Sequence, residues 1–257
     1  MNKYETLHEA YLAALADVYD NPDHVAEPRG QRTREKLNYQ FTVLKPTVEP
    51  IVTKDPERNE VIKDYTAKEV ALYDSCTNRA VDFGRASKFW LKLANPDGTV
   101  NSAYGYLIWK NASHGNPAFE HKDYDNATAE ELNAMYRTPW EWAKQSLLAD
   151  KDSRQAILRF SLPEHQWVGN KDQTCTLHGL FLIRENRLNL TITMRSNDLT
   201  LGLVYDLPWF ISLMGRMCAE LHETYPELQI GTYTHQVHSL HIYDRDEEKI
   251  LKMLGRK

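Results

Sequence analysis

No stretch of the chain approaches the ~20 consecutive apolar residues that a membrane span requires, because charge or polar alternation breaks every hydrophobic run. The amino terminus carries Lys3, Glu5, Glu9, Asp17 and Asp20 where a signal peptide would place its apolar centre. Both absences point to the cytoplasm. Cysteine is scarce and odd in number, with Cys76, Cys175 and Cys218 alone, which reads as reduced thiols rather than a disulfide framework. A basic excess is missing too: 31 Lys and Arg stand against 36 Asp and Glu, a net charge of −5. No global field therefore draws the chain to nucleic acid or an anionic membrane, and any phosphate has to be held by a local cluster. Only 11 glycines and 11 prolines occur in 257 residues, with no internal repeat, which excludes collagenous, repetitive and disordered classes. What remains is one globular domain over residues 1–257, long enough for a sizeable core.

The hydrophobic pattern predicts its elements. Leu7, Tyr11, Ala14, Leu15 and Val18 follow helical spacing over residues 4–18, and a basic loop with Pro28 and Gly30 follows. Leu37, Tyr39, Phe41 and Val43 alternate with polar neighbours, as a half-buried strand does. Thr66 with Glu69 fits a capping box before a helix to about Ala80, and Thr128 with Glu131 fits another before a Trp-rich helix to about Leu148. From residue 155 the chain reads as strands at 155–162, 177–183 and 188–194, the last two joined by a short turn as a hairpin. Phe210, Leu213, Met214, Met217, Cys218 and Leu221 then mark a buried helix opened by Asp206 and Pro208. Strands at 228–232 and 237–243 and a charged helical tail complete an α+β fold, mainly antiparallel, with helices packed on the sheet.

Several residues carry chemical potential beside a plainer structural use. Cys175 lies in the polar segment Asp172-Gln173-Thr174-Cys175-Thr176, where a thiol near cations is a nucleophile and without them a small filler. Arg195-Ser196-Asn197-Asp198 follows a strand directly, and Arg with Ser makes a natural phosphate clamp, while Asp198 also suits a cap of the next element. Asp206 reads as a helix N-cap and Glu69 as the third position of its capping box, although each carboxylate could equally serve a substrate. His235, His238 and His241 sit three apart on a strand, which puts successive side chains on opposite faces and argues against a shared metal ion. A Cys175, His241 and Asp198 hydrolase is a distant reading, since no nucleophile-elbow pattern accompanies it.

Taken in order, Cys175, Arg195-Ser196-Asn197-Asp198, Leu201-Gly202-Leu203 and His241-Ile242-Tyr243 resemble the catalytic half of thymidylate synthases. Asn101-Ser102-Ala103-Tyr104-Gly105, Asp152-Ser153-Arg154 and Ser239-Leu240-His241 add a resemblance to the phage deoxycytidylate hydroxymethylases within that superfamily. The resemblance implies a homodimer with shared active sites, a pyrimidine nucleoside monophosphate substrate, 5,10-methylenetetrahydrofolate as co-substrate, no metal, and action in a host cytoplasm on a DNA precursor. By position it makes Cys175 the nucleophile and gives Arg195 and Ser196 the 5′-phosphate, with Arg154 reaching across from the other subunit. Arg29 and Arg32 both compete for a further phosphate contact, and His241 with Tyr243 takes the sugar hydroxyl. Glu69 organises water and protons, Trp90 and Tyr104 line the pocket, and Asp198 faces folate and base. Asp206 stands where thymidylate synthases place an asparagine that reads uracil, and an aspartate there accepts from the 4-amino group of cytosine. The chain departs from the synthases at Thr174 and Thr176 around the cysteine, at Gln155 beside Arg154, and in its short tail after Tyr243.

Overall fold

The computed structural model describes residues 2–111, 113–114 and 136–256. The expected cap at Thr128 and Glu131 lies outside the described residues.

The first helix, α1 (Leu7–Asp20), opens on a complete capping box, with the Glu9 amide donating to Thr6 Oγ1 at 3.3 Å and the Thr6 amide to Glu9 Oε2 at 3.1 Å. Its stripe of Leu7, Ala10, Tyr11, Ala14, Leu15 and Val18 is buried against strand β3 (Thr33–Val43). The stretch expected as a basic loop contains a short strand, β2 (His24–Ala26), paired antiparallel with β3. Strand β3 itself runs four residues further back than its alternation suggested, and β1 (Asn2–Tyr4) lies parallel beside it.

Helix α2 (Pro56–Asp74) corrects the capping-box expectation at Thr66. It starts a decade earlier, where Asp55 accepts from the Glu57 and Arg58 amides at 3.1 and 3.2 Å and Pro56 occupies the first turn. Thr66 and Glu69 are therefore buried mid-helix residues, and the helix stops short of Ala80 because Cys76 takes a left-handed φ of 53°. Three short helices follow, α3 (Ala80–Ala86), α4 (Phe89–Leu93) and α5 (Tyr104–Trp109). A small pair of strands, β4 (Ser113–His114) and β5 (Tyr136–Arg137), precedes α6 (Pro139–Ala149), which carries its own capping box of Thr138 and Glu141.

The hairpin of β7 (Thr176–Arg184) and β8 (Arg187–Met194) turns on Glu185 and Asn186, both at positive φ, as a two-residue turn matching strand twist demands. The two strands expected at 228–232 and 237–243 are one, β10 (Gln229–Tyr243), because the intervening residues contain no breaker. A bulge between Ile230 and Tyr233 absorbs the irregularity, at Gly231, where a Cβ would stand 2.5 Å from Asn189 Oδ1. With β6 (Ile157–Arg159), the sheet runs in the order β1-β3-β10-β8-β7-β6. β10 lies antiparallel to β3 but parallel to β8, so the sheet is mixed, with mainly antiparallel pairing.

The buried helix is α7 (Val204–Leu221), with Trp209, Phe210, Leu213, Met214, Met217 and Leu221 fully enclosed. Asp206 is its third residue and caps nothing; Asp198 caps the wide turn Leu199–Leu203 before it, accepting from the Thr200 amide at 2.7 Å. The charged tail forms α8 (Glu247–Leu254), whose Ile250 and Met253 are fully buried and which packs on α1.

Candidate active site

Twenty residues separate Cys175 from Arg195, and the β7–β8 hairpin closes that gap. Cys175 precedes the first residue of β7 and Arg195 follows the last of β8, so the Arg195 amide donates to the Cys175 carbonyl at 2.9 Å. The guanidinium then folds over the same segment, donating to the Thr174 and Gln173 carbonyls at 3.1 and 2.7 Å and reaching Cys175 Sγ at 3.5 Å. Burial pushes the thiol up, the Arg195 and Arg29 charges pull it down, and Asp206 and Asp172 push it up again. The net shift is upward, so the resting group is a thiol held beside a cation.

Two buried carboxyls on helices adjoin this thiol in turn, Asp206 acting on the thiol and Glu69 adjoining Asp206. Asp206, 8% exposed, accepts from the Asn197 amide at 3.2 Å, and burial lifts its pKa to about 7. Glu69, 7% exposed, is lifted to about 8, first by burial and then by the charge of Asp206, while hydrogen bonds from Tyr65 and Tyr73 oppose the rise. Tyr65 also accepts from Trp90 Nε1 at 3.1 Å, which ties Trp90 to the same network. Tyr104 of α5 completes the wall: it is buried, it stacks on Tyr73 with centroids 5.2 Å apart, and both Asp206 and Cys175 act on its hydroxyl.

The structure thus gathers Cys175, Arg195, Glu69, Asp206, Tyr104 and Trp90, with the Arg29 charge bearing on the thiol. Asp198 and His241 meet in the parallel ladder of β9 (Asn197–Asp198) and β10, one residue along from Asn197. Burial raises the Asp198 carboxyl and the nearby His241 opposes that rise, while the His241 ring lies edge-on to Tyr243 with centroids 5.4 Å apart. Ser196 is half-buried beside them. Arg32 is engaged elsewhere, by Asp244 at 2.8 Å. Arg154 is exposed and forms no ion pair among the described residues. The three histidines separate as their spacing required: His235 is fully buried, His238 is exposed on Asn38, and His241 is half-buried. Among the described residues no group of three or more His, Cys, Asp or Glu side chains gathers as a metal site. No described helix is long and apolar enough to cross a membrane.

Sequence reasoning missed Tyr65 and Tyr73, although they stand four residues before and after Glu69, the spacing that puts three side chains on one helix face. It also passed over Asn197 as one letter of a motif.

A thiol, an adjoining arginine and two buried carboxyls with raised pKa values gather at one end of β7 and β8, an arrangement suited to covalent chemistry on a polar substrate. The thymidylate synthase profile matches residues 9–257, and the chain belongs to that family of folate-dependent one-carbon transferases. It is 26% identical to the deoxycytidylate 5-hydroxymethyltransferases of Enterobacteria phages T6 and T4 over 230 residues, covering 87% of this chain and 80% of theirs. A shorter similarity, 31% over 119 residues, reaches the deoxyuridylate hydroxymethyltransferase of Bacillus phage SP01, covering 43% of this chain and 30% of that one. Thymidylate synthase A of Bacillus subtilis shares the fold, with a TM-score of 0.66 at 17% identity over 98% of this chain and 84% of its own.

Proposed function

We propose that this protein is a deoxycytidylate 5-hydroxymethyltransferase, converting dCMP, 5,10-methylenetetrahydrofolate and water into 5-hydroxymethyl-dCMP and tetrahydrofolate. The observation that carries this reading is Asp206, a buried carboxyl beside Cys175 with hydrogen-bonding capacity left over. With an accepting oxygen directed at the 4-position, Asp206 pairs with the 4-amino group of cytosine and stays unpaired against uracil O4. Such a mismatch discriminates by up to ~10⁴ in favourable sites.

The residues divide the work accordingly. Arg195 and Ser196 hold the 5′-phosphate, and Arg29 joins them, because Arg32 is committed to Asp244. Arg154, exposed and without an ion pair among the described residues, serves the phosphate of a second subunit in a homodimer. His241 and Tyr243 take the sugar hydroxyl. Cys175 Sγ adds to pyrimidine C6, losing its proton to the site, and C5 becomes an enamine-like carbon.

The folate supplies the one-carbon unit as a methylene group. Trp90, with exposed Phe89 and Leu91 beside it, offers an apolar lip that fits a flat ring, and Asp198 takes a folate contact as the resemblance implies. C5 bonds to that methylene carbon, loses its proton as the carbon's bond to tetrahydrofolate breaks, and water adds to the exocyclic methylene that remains. Glu69, held by Tyr65 and Tyr73, orients that water and keeps its protons within the network. Departure of Cys175 from C6 restores the ring.

Mass analysis after incubation with methylenetetrahydrofolate and, separately, dCMP, CMP and dUMP tests the reading. A dCMP product heavier by formaldehyde supports it. A methylene increment means a methylase, turnover of CMP a ribonucleotide enzyme, preference for dUMP a different base reader, and no product a nucleotide-binding homologue.

A further inference from the structure

A protonated carboxyl has one donor and one acceptor, and with its proton free to sit on either oxygen it fits both pyrimidines. Cytosine presents an acceptor at N3 beside a donor at N4, and uracil presents the reverse order. Asp206 alone therefore does not fix the choice of base while it is neutral.

Its neighbour Asn197 is held in one orientation. The residue is 3% exposed, and its backbone pairs with Leu240 in the ladder of β9 and β10. Its Nδ2 stands 3.2 Å from Asp206 Oδ2 and 2.9 Å from Met194 Sδ. A thioether only accepts, so the atom facing both groups is the amide donor. On the other side the Asn197 oxygen fills the space that Gly202 leaves open, where a Cβ would stand 2.4 Å from Oδ1. Glu69, Tyr73, Tyr104, Tyr233 and Cys175 also sense the Asp206 charge, yet the only side-chain hydrogen bond to it among the described residues comes from Asn197.

We propose that Asn197 is the specificity-determining partner of Asp206: by donating to Oδ2 it keeps that oxygen an acceptor, confines the acid proton to Oδ1, and fixes the order in which donor and acceptor meet the base. The inference rests on reading Asp206 as the residue that faces the pyrimidine edge. With Oδ2 toward N4 and Oδ1 toward N3, the neutral acid matches cytosine and opposes uracil. Ionised, both oxygens accept, cytosine N3 and uracil O4 each meet an acceptor, and the carboxylate no longer separates the two bases. Asn197 touches no substrate atom in this arrangement and acts as a positioning residue.

The test is the ratio of kcat/KM for dCMP over dUMP, with the dissociation constants of both nucleotides from calorimetry, in wild type, Asn197→Leu and Gly202→Ala. Asn197→Leu removes the donor while keeping the same branched four-atom skeleton, and Gly202→Ala displaces the same amide from its far side. Both variants are expected to lower the ratio about 10- to 100-fold, chiefly by admitting dUMP. Asn197→Ser, which retains a short donor, keeps more of the preference than Asn197→Leu. Equal losses toward both nucleotides with an unchanged ratio overturn the inference and leave Asn197 a packing residue. A wild-type protein that prefers dUMP, or binds neither nucleotide, overturns the reading of Asp206 instead.

Discussion

Asp172 and Asp206 are both buried aspartates, 4% and 8% exposed, close enough to Cys175 for each charge to bear on its thiol. Their surroundings differ. Asp172 accepts from the Ser102 amide at 2.8 Å and the Ser102 hydroxyl at 2.5 Å, while its own carbonyl accepts from Asn101, so it ties the start of α5 to the cysteine segment. Asp206 has one amide donor and a raised pKa. A carboxylate saturated with donors serves the fold, because its desolvation is compensated inside the protein. A carboxyl left with spare capacity is maintained at a cost, and that capacity is available to a ligand.

The largest expected effect lies with the nucleophile that both aspartates influence. Cys175→Ala is expected to lower turnover by on the order of 10⁴-fold or more, measured as product by mass analysis, while nucleotide binding by calorimetry persists. Retained turnover would remove covalent addition from the mechanism.

The two aspartates themselves should then part company in denaturant. Asp172→Ala strands the Ser102 donors and is expected to cost roughly 2–4 kcal/mol of unfolding free energy. Asp206→Asn removes a strained ionisation and is expected to leave stability near neutral pH unchanged or higher, while shifting preference from dCMP toward dUMP. Equal destabilisation by the two changes would collapse the distinction drawn between them.

Stability against pH sharpens the same contrast. Asp206 and Glu69 have folded pKa values of about 7 and about 8, against 3.8 and 4.5 for the free groups. Between those limits the folded protein holds protons that the unfolded chain has released, so stability falls as pH rises from about 4 to 8. For Asp206 alone the loss is on the order of 4 kcal/mol across that window. Below it, both states are protonated and the contribution is complete. Urea unfolding at several pH values is expected to show this slope in wild type and a shallower one in Asp206→Asn and Glu69→Gln.

The smallest effect belongs to a group with no part in the site. Thr138→Ala removes the cap of α6 and is expected to cost about 1 kcal/mol, with base preference unaltered.

How far all this was legible varies with range. The stripe Leu7 to Val18 and the hairpin around Glu185 and Asn186 were readable because local periodicity and turn chemistry state them directly. Thr66 misled because a capping box is a local pattern, and Asp55-Pro56 upstream offered a better start for the same helix. The single long β10 read as two strands because the bulge between Ile230 and Tyr233 and the buried His235 interrupt its apolar alternation, although no turn residue does.

By itself the sequence determined the strongly periodic elements such as α1, the β7–β8 hairpin and α7, the absence of a long apolar span, and the ordered blocks around Cys175, Arg195, Asp198, Asp206 and His241, since spacing along a chain survives without coordinates. The tertiary structure decided which carboxyls are saturated and which are not. Burial moves a pKa only when groups distant in sequence exclude water together, and an amide orients a carboxyl only when backbone elsewhere holds it in reach. Those are relations between Glu69, Asn197, Asp206 and the tyrosines around them, and they exist only once α2, α5, α7 and the end of the sheet have closed on one another.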